Sequence, residues 1–232
     1  MKQLTIDTST SFFAAALLED DICQAKSSFE VQRDHSSFAM PAIVELFAQR
    51  SWTIDMIDEI IVTQGPGSYT GIRIGVTIAK TLAFTKKIPL IGVSTLHVLA
   101  TNCLEQNVLI VPIIDAKRQE VFTGLYQYQS GIWANKQVDS LKTIQSLVDE
   151  LCAQPLPVVF VGKDAQLFTE LLLQVPNSKI ASEQATDGER IAKIASQYPK
   201  VTDLHAFAPN YYKLSQAEAD LAKRKEQEKH GM

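Results

Sequence analysis

The sequence has few of the features that stabilise secreted or metal-bound domains. It contains only three cysteines in 232 residues, at positions 23, 103 and 152, and an odd count at wide spacing suggests neither a disulfide framework nor a zinc site. It also lacks an apolar run of membrane-spanning length and an N-terminal signal sequence with a basic region, an apolar run and a cleavage site. We therefore expect a soluble protein of the reducing cytoplasm, with no membrane partner.

An excess of basic residues is also absent. The formal net charge is −4 and the pI is about 5.6. Because phosphate contacts need clustered Lys and Arg, such a chain is a poor lone binder of nucleic acid. Hydrophobic residues make up 46% of the sequence, enough to bury a core, and the length fits one large domain or two small ones.

The most distinctive stretch is a glycine-rich loop between a strand and a helix. Ile60–Thr63 predicts a buried strand, and Gly65-Pro66-Gly67 predicts a turn after it. Ser68 and Thr70 can each cap the start of the helix predicted over 72–84. Glycines before a helix can present N–H groups to phosphate, but the spacing here is neither a Walker loop nor the dinucleotide fingerprint, so this signal is weak.

The helix of this stretch carries a face almost without side chains. Gly71, Gly75, Ala79 and Ala83 recur every four residues and so share one side of the helix. Since glycine costs about 1 kcal/mol against alanine inside a helix, another backbone is expected to come close here. Two interpretations stay open: packing on the protein's own sheet or a neighbouring helix, and an interface with another subunit.

The order of predicted elements repeats along the chain. Each half runs strand, strand, strand, helix, strand, helix. The first half has strands at 4–7, 12–18, 22–29 and 60–63 with helices at 36–50 and 72–84, and the second has strands at 108–115, 121–128, 132–138 and 158–161 with helices at 140–151 and 164–173. Further elements are predicted at 90–93, at 95–104 and from 187. Such a repeat indicates an α/β protein of two similar lobes with a cleft between them, over 1–104 and 105–211, followed by a charged helix or tail over 212–232.

The helix over 36–50 presents an apolar face. Four apolar residues recur at i, i+3, i+4 and i+7: Met40, Ile43, Val44 and Phe47. His35 leads this helix, but a helical metal pair needs a second ligand at i+4, where the sequence has Ala39. We interpret His35 as a cap or partner contact rather than a metal ligand.

Two aspartates are the best candidates for acid, base or magnesium roles. Asp7 and Asp115 each end the first strand of a lobe, where ligands of α/β proteins gather. The alternative is structural: Asp7 caps its own Thr-Ser-Thr turn, and Asp115 pairs with Lys117 or Arg118. A nucleophile elbow is absent from the sequence, so the sequence offers few candidate catalytic residues.

Five stretches together resemble one family. They are Ile6-Asp-Thr-Ser-Thr10, His35 followed by Pro41, Gln64-Gly-Pro-Gly-Ser-Tyr-Thr-Gly-Ile-Arg-Ile-Gly75, Ile114-Asp-Ala-Lys-Arg-Gln-Glu-Val121 and Pro209-Asn-Tyr-Tyr-Lys-Leu214. In this order they resemble the TsaB (also called YeaZ) family of bacterial tRNA threonylcarbamoyladenosine biosynthesis proteins. The resemblance spans nearly the whole chain, and its glycine-loop stretch is highly specific.

The resemblance implies a two-lobed actin/hexokinase/Hsp70-like, ribonuclease H-like fold with duplicated lobes. It also implies a role in forming N6-threonylcarbamoyladenosine (t6A) at position 37 of tRNAs that read ANN codons. In that pathway TsaD transfers the threonylcarbamoyl group, a TsaC-type enzyme makes the adenylate, and TsaE is a small ATPase. The family member is a non-catalytic subunit that binds and stabilises TsaD. TsaD-type proteins hold a metal with a His-x-x-x-His pair, which Ala39 interrupts here.

In the family, the two proteins pair through helices of their first lobes. We therefore expect the helices over 36–50 and 71–84 to form a bundle with TsaD, or with a second copy of the chain when TsaD is absent. The partner-binding residues expected from this are His35, Met40, Ile43, Val44, Phe47, Gly71, Arg73, Gly75, Ala79 and Ala83. No tightly bound cofactor or metal is expected, whether ATP or ADP binds at the joint with TsaD is left open, and tRNA is expected only within the complex.

Three rival functions stay open. One is a small kinase or ATPase that uses Asp7 or Asp115 on magnesium in the interlobe cleft. Another is a peptidase, which the missing His-x-x-x-His argues against. The third is a module that binds ADP or ATP without chemistry.

Overall fold

The computed structural model describes residues 1–31, 35–182 and 185–213. The side chain of His35 is outside that description, and the charged helix or tail expected over 212–232 lies outside it from residue 214 on. None of the described helices is long and apolar enough to span a membrane.

The first sheet is built from the β-branched and alanine-rich strands near the start of the chain. Its strands are β1 (Lys2–Asp7), β2 (Phe12–Glu19), β3 (Ile22–Glu30), β4 (Glu59–Thr63) and β5 (Leu90–Val93), in the order β3-β2-β1-β4-β5. β1, β2 and β3 pair antiparallel, whereas β1, β4 and β5 pair parallel. Helix α1 (His35–Arg50) follows β3, and α2 (Tyr69–Lys86) connects β4 to β5.

The second sheet repeats this arrangement. Its strands are β6 (Leu109–Asp115), β7 (Glu120–Gln129), β8 (Ile132–Thr143), β9 (Val158–Val161) and β10 (Ser178–Ile180), in the order β10-β9-β6-β7-β8. Again the first three strands pair antiparallel, and the first, fourth and fifth pair parallel. Helix α3 (Thr95–Ala100) precedes β6, α4 (Ile144–Cys152) follows β8, and a 3₁₀ helix (Lys163–Phe168) after β9 leads into α5 (Thr169–Leu172). The last described helix, α6 (Gly188–Ala195), follows β10. The predicted duplication of an α/β lobe is confirmed, because the two sheets share the same strand order and pairing.

Some predicted element boundaries are wrong. The helix expected from Ser140 begins at Ile144, because β8 pairs with β7 as far as Thr143. The side chain of Thr143, not Ser140, caps α4. The short edge strand β10 was not predicted, since three residues give no usable periodicity.

The last described part of the chain returns to the first lobe. The Thr5 hydroxyl donates to the carbonyl oxygen of Gly188 at 2.8 Å, which fixes the start of α6 against β1. Farther on, the Val201 N–H donates to Leu90 at 2.8 Å, alongside β5. Helix α6 was expected in the second lobe, but it packs on the first sheet, whereas Lys213 at the end of the described chain pairs with Glu120 of β7 at 2.6 Å.

Three apolar clusters form the core. One lies between the first sheet and α1 and α2, and another between the second sheet and α4 and α5. The third lies between the lobes, where α3 and α6 bring Leu96 and Ile191 together with Ile61 and Ile110 of the two sheets. The lobes therefore share a continuous core.

Candidate functional site

The glycine loop between β4 and α2 is filled by the chain's own backbone. A Cβ on Gly67 would lie 2.1 Å from the carbonyl oxygen of Ser9, and one on Gly65 would lie 2.9 Å from that of Asn210. The Ser68 N–H donates to the same Ser9 carbonyl at 2.7 Å. Gly67 therefore allows the β1–β2 turn to approach and Gly65 allows the backbone at Asn210 to approach, and the turn occupies an N–H group that a phosphate would use.

The small face of α2 is also used within the chain. A Cβ on Gly71 would lie 2.1 Å from the carbonyl oxygen of Thr8, and one on Gly75 would lie 2.5 Å from the Thr8 hydroxyl. Ala79 and Ala83 have no exposed surface. The four small residues let α2 lie close on its own sheet, so assigning them to a partner surface was wrong. Spacing identifies the close face of a helix but not what covers it.

Helix α1 divides its predicted face between the core and the surface. Ile43 is only 2% exposed and Phe47 is half-buried against the same core. Ile43 is therefore a core residue, and its assignment to a partner contact is wrong as well. Met40 and Val44, one turn apart, are 39% and 59% exposed. A monomer leaves these two apolar side chains in water.

The exposed side of α2 continues this surface. Ile74 and Ile78 are half-buried one turn apart, and Arg73 and Thr77 beside them are exposed. A shallow groove of about 390 Å³ runs between the two helices at this point. We call this surface the α1–α2 face, formed by Met40, Val44, Arg73, Ile74, Thr77 and Ile78. Sequence reasoning missed Ile74 and Ile78, although their spacing of four places them along one side of the helix.

Asp7 organises its own turn. It is fully buried, and its Oδ1 accepts from the Ser9 N–H at 2.8 Å, the Ser9 hydroxyl at 2.5 Å and the Thr63 hydroxyl at 2.7 Å. Its Oδ2 is buried without a hydrogen-bond partner among the described residues. The structural alternative for this carboxylate is confirmed.

Asp115 is likewise engaged locally. Its Oδ2 pairs with the Lys117 ammonium at 2.6 Å, and its Oδ1 accepts from the Lys117 N–H at 2.8 Å. The N–H of Asp115 donates to the Asp164 carboxylate at 2.9 Å. Burial raises the pKa of Asp164. The expected pairing of Asp115 with Lys117 is confirmed.

Two spaces of different size lie between the lobes. The one between Phe12 of β2 and Ile113 of β6 has a volume of about 20 Å³, room for roughly one water molecule. The other has a volume of about 370 Å³ and is lined by Asp115 together with Gly67 and Tyr69 of the first lobe and Phe122 of the second. Among the described residues, no group of three or more His, Cys, Asp or Glu side chains could hold a metal ion. Ala39, at the position where a metal partner of His35 would stand, is fully buried.

A buried polar network ties the second lobe to the start of α3. Asp139 on β8 accepts from the Tyr126 hydroxyl at 2.5 Å and from the hydroxyl of Ser94, the α3 cap. Burial raises the pKa of Asp139, and these two donors oppose that rise. Nearby, burial lowers the pKa of His97 to about 4, so this imidazole is neutral at pH 7. The network is structural, because its polar groups bond one another.

Comparisons with known proteins agree on one family. A family model described as "TsaD: tRNA N6-adenosine threonylcarbamoyltransferase" matches residues 29–224. The chain is 36% identical over 222 residues to the tRNA threonylcarbamoyladenosine biosynthesis protein TsaB of Bacillus subtilis, covering 94% of this chain and 97% of that protein. A crystal structure of a Pseudomonas aeruginosa protein with similarity to peptidase YeaZ superposes with a TM-score of 0.79 at 24% identity, covering 91% of this chain and 99% of that one. YeaZ from the same organism superposes with a TM-score of 0.77 at 22% identity, covering 90% and 99%.

Proposed function

Because the chain belongs to the TsaB (YeaZ) family of tRNA threonylcarbamoyladenosine biosynthesis proteins, we propose that it is the non-catalytic subunit that binds and stabilises TsaD. In this role it supports t6A formation at position 37 of tRNAs that read ANN codons. The observation that carries the proposal is the α1–α2 face, which leaves Met40 and Val44 exposed beside the half-buried Ile74 and Ile78.

The face suits a helical partner. It combines apolar side chains from two neighbouring helices with a groove between them. A pair of helices from TsaD can lay an apolar ridge along this groove and complete a four-helix bundle. Removing the exposed apolar side chains from water contributes roughly 25 cal/mol for each Å² buried. A second copy of the chain presents the same face, so a homodimer forms when TsaD is absent and competes with TsaD for it.

The carboxylates are consistent with a subunit that does no chemistry. Asp7 is held by three donors of its own lobe, and Asp115 is paired with Lys117. We propose no tightly bound cofactor in this chain. ATP or ADP binds at the joint with TsaD, TsaE joins the pair, and tRNA binds only to the assembled complex in the cytoplasm.

Reconstitution of tRNA modification tests the function. Purified TsaC, TsaD and TsaE from the same organism would be incubated with an unmodified ANN-reading tRNA, with and without this chain. We expect t6A only when the chain is present, and neither ATP turnover nor modification by the chain alone. Equal product without the chain would refute the proposed function. ATP turnover by the chain alone, lost in Asp7→Ala, would favour the kinase or ATPase alternative.

A paired substitution tests the surface. Val44→Asp places a charge on the α1–α2 face one turn from Met40, where binding would bury it, so affinity for TsaD should fall by about 100-fold or more. Val138→Asp is the matched control, because Val138 is 76% exposed on β8 in the second lobe. Calorimetric titration of TsaD into each variant measures both. Equal affinities would remove the α1–α2 face from the proposal.

A further inference from the structure

A second, larger groove runs along the other edge of α2. It lies between α2 and residues 204–211, and its volume is about 590 Å³. We call it the 204–211 groove. On the α2 side its rim includes Tyr69 and Phe84, which are 45% and 59% exposed, and Tyr211 opposite them is 47% exposed.

The far wall of the groove is fixed in place. The Lys80 ammonium crosses from α2 and donates to the carbonyl oxygens of His205 and Phe207, both at 2.9 Å. The Asp203 carboxylate caps the same turn by accepting from the His205 N–H at 2.8 Å. A Cβ on Gly92 would lie 2.7 Å from the Phe207 ring, which is seated on β5. The groove is therefore preformed, so a ligand would not have to order it.

The groove has a consistent chemical character. The described residues that line it include the cations Arg73 and Lys80 and also His205, and none of them is Asp or Glu. This contrasts with the whole chain, whose net charge is −4. The remaining lining is largely aromatic and aliphatic. A segment with an apolar anchor and an acidic residue matches both properties.

The aromatic rings favour a peptide over a nucleic acid. Tyr69 already packs against Tyr211 with ring centroids 5.1 Å apart, and Phe84 against His205 at 5.3 Å. These pairs close the rings on one another, so they offer a continuous apolar wall rather than a gap into which a base could stack.

The groove is continuous with the α1–α2 face. Arg73 and Thr77 line both the groove between α1 and α2 and the 204–211 groove. A protein bound to the α1–α2 face can therefore contact the 204–211 groove at the same time. We infer that the 204–211 groove binds an acidic segment with an aromatic or aliphatic anchor that belongs to the same protein that docks on the α1–α2 face. This inference rests on the proposed function, which supplies that protein as TsaD.

A negative charge introduced into the groove tests the inference. Thr81 is exposed and lines the groove, whereas Thr85, one turn on, is exposed but does not line it. Thr81→Glu should weaken the binding of TsaD by about tenfold, since it opposes an acidic segment. The loss should shrink when salt screens the charges. Thr85→Glu should bind as the wild type does. Calorimetry at low and high salt measures the affinity of the wild type, Thr81→Glu and Thr85→Glu for TsaD.

The outcomes separate this inference from the proposed function. If Val44→Asp abolishes binding while Thr81→Glu and Thr85→Glu bind equally well, the groove is not used and the α1–α2 face stands. If the wild-type chain does not bind TsaD at all, both proposals fail. A gain in affinity for Thr81→Glu would show a basic segment instead and would overturn the inference.

A fluorescent probe reports occupancy directly. Phe84→Trp places an indole at the rim of the groove, and the two native tryptophans, Trp52 and Trp133, lie outside its lining. We expect a blue shift in the difference spectrum when TsaD binds, and none for Thr85→Trp. An unchanged Phe84→Trp spectrum on saturation with TsaD would contradict the inference. So would a shift with unmodified tRNA alone, since that would make the groove a nucleic-acid site.

Discussion

Helices α1 and α4 occupy the same position in the duplicated lobes, but they expose different surfaces. Each follows the third strand of its sheet, and α1 has 16 residues where α4 has nine. The four aliphatic residues of α4 are all buried on its own sheet. Helix α1 leaves Met40 and Val44 exposed. Nine residues are enough to cover this sheet position, so the extra turns and exposed apolar residues of α1 point to a partner outside the chain.

The segments that follow the fourth strand of each sheet, β4 and β9, also differ between the lobes. Gly65 follows β4 and Gly162 follows β9, with φ angles of +106° and +100°, so both lobes turn at a glycine. The second lobe then forms only a 3₁₀ helix and the four-residue α5. The first lobe forms the 18-residue α2, whose small face allows it to lie flat on the sheet. Among the residues that the structure describes, only the first lobe therefore sets two long helices side by side.

The largest effect on stability is expected from a substitution in α4. Leu147 has no exposed surface, and Leu147→Ala should lower the free energy of unfolding by about 3 kcal/mol through lost burial and a cavity. Val44→Ala on α1 is the counterpart, and it should change stability by less than about 0.5 kcal/mol, because Val44 is exposed. Urea unfolding followed by circular dichroism measures both. Equal losses would mean that α1 and α4 do not differ as described.

A smaller loss is expected from Gly71→Ala on α2. Alanine gains about 1 kcal/mol of helix propensity, but the new methyl group would lie 2.1 Å from the Thr8 carbonyl oxygen, and overpacking of this kind costs typically 1–3 kcal/mol. Because the clash is with backbone, the cost should lie near the top of this range and leave a net loss of about 2 kcal/mol. Thr77→Ala, exposed on the same helix, is the control. A more stable Gly71→Ala would contradict close packing on the sheet.

The architecture was largely predictable from the sequence because its signals are local and occur twice. Alternating and β-branched runs fixed most strands, and the repeated element order predicted both sheets. What failed depended on pairing between distant segments. The strand β8 extends to Thr143 because β7 lies beside it, and the Val201 region joins the first lobe because β5 has a free edge there. Neither the length of β8 nor the pairing of the Val201 region with β5 can be predicted from the local pattern of residues.

The candidate site was predictable only in part. Helical periodicity gave the right pair of helices, but it could not say which residues of each face the sheet would take. Ile43 and the small residues of α2 are buried against the sheet, whereas Met40, Val44 and Arg73 are exposed. The 204–211 groove was not predicted, because it is made by chain segments more than a hundred residues apart.

The smallest effect concerns the two buried carboxylates, one in each lobe. Asp7 receives three hydrogen bonds at one oxygen, whereas Asp139 receives one hydroxyl at each oxygen, and burial raises the pKa of Asp139. The folded chain therefore holds a proton on Asp139 more tightly than the unfolded chain does. The contribution of Asp139 to stability should decrease as the pH rises from about 4, its ordinary pKa, to the raised folded pKa, and stay constant above it. Asp139→Asn carries no such proton, so the stability of the wild type relative to this variant should increase as the pH is lowered from 7 toward 4. Urea unfolding of both proteins across this range measures the difference, and a difference that stays flat or decreases on acidification would show that Asp139 is not destabilised by its burial.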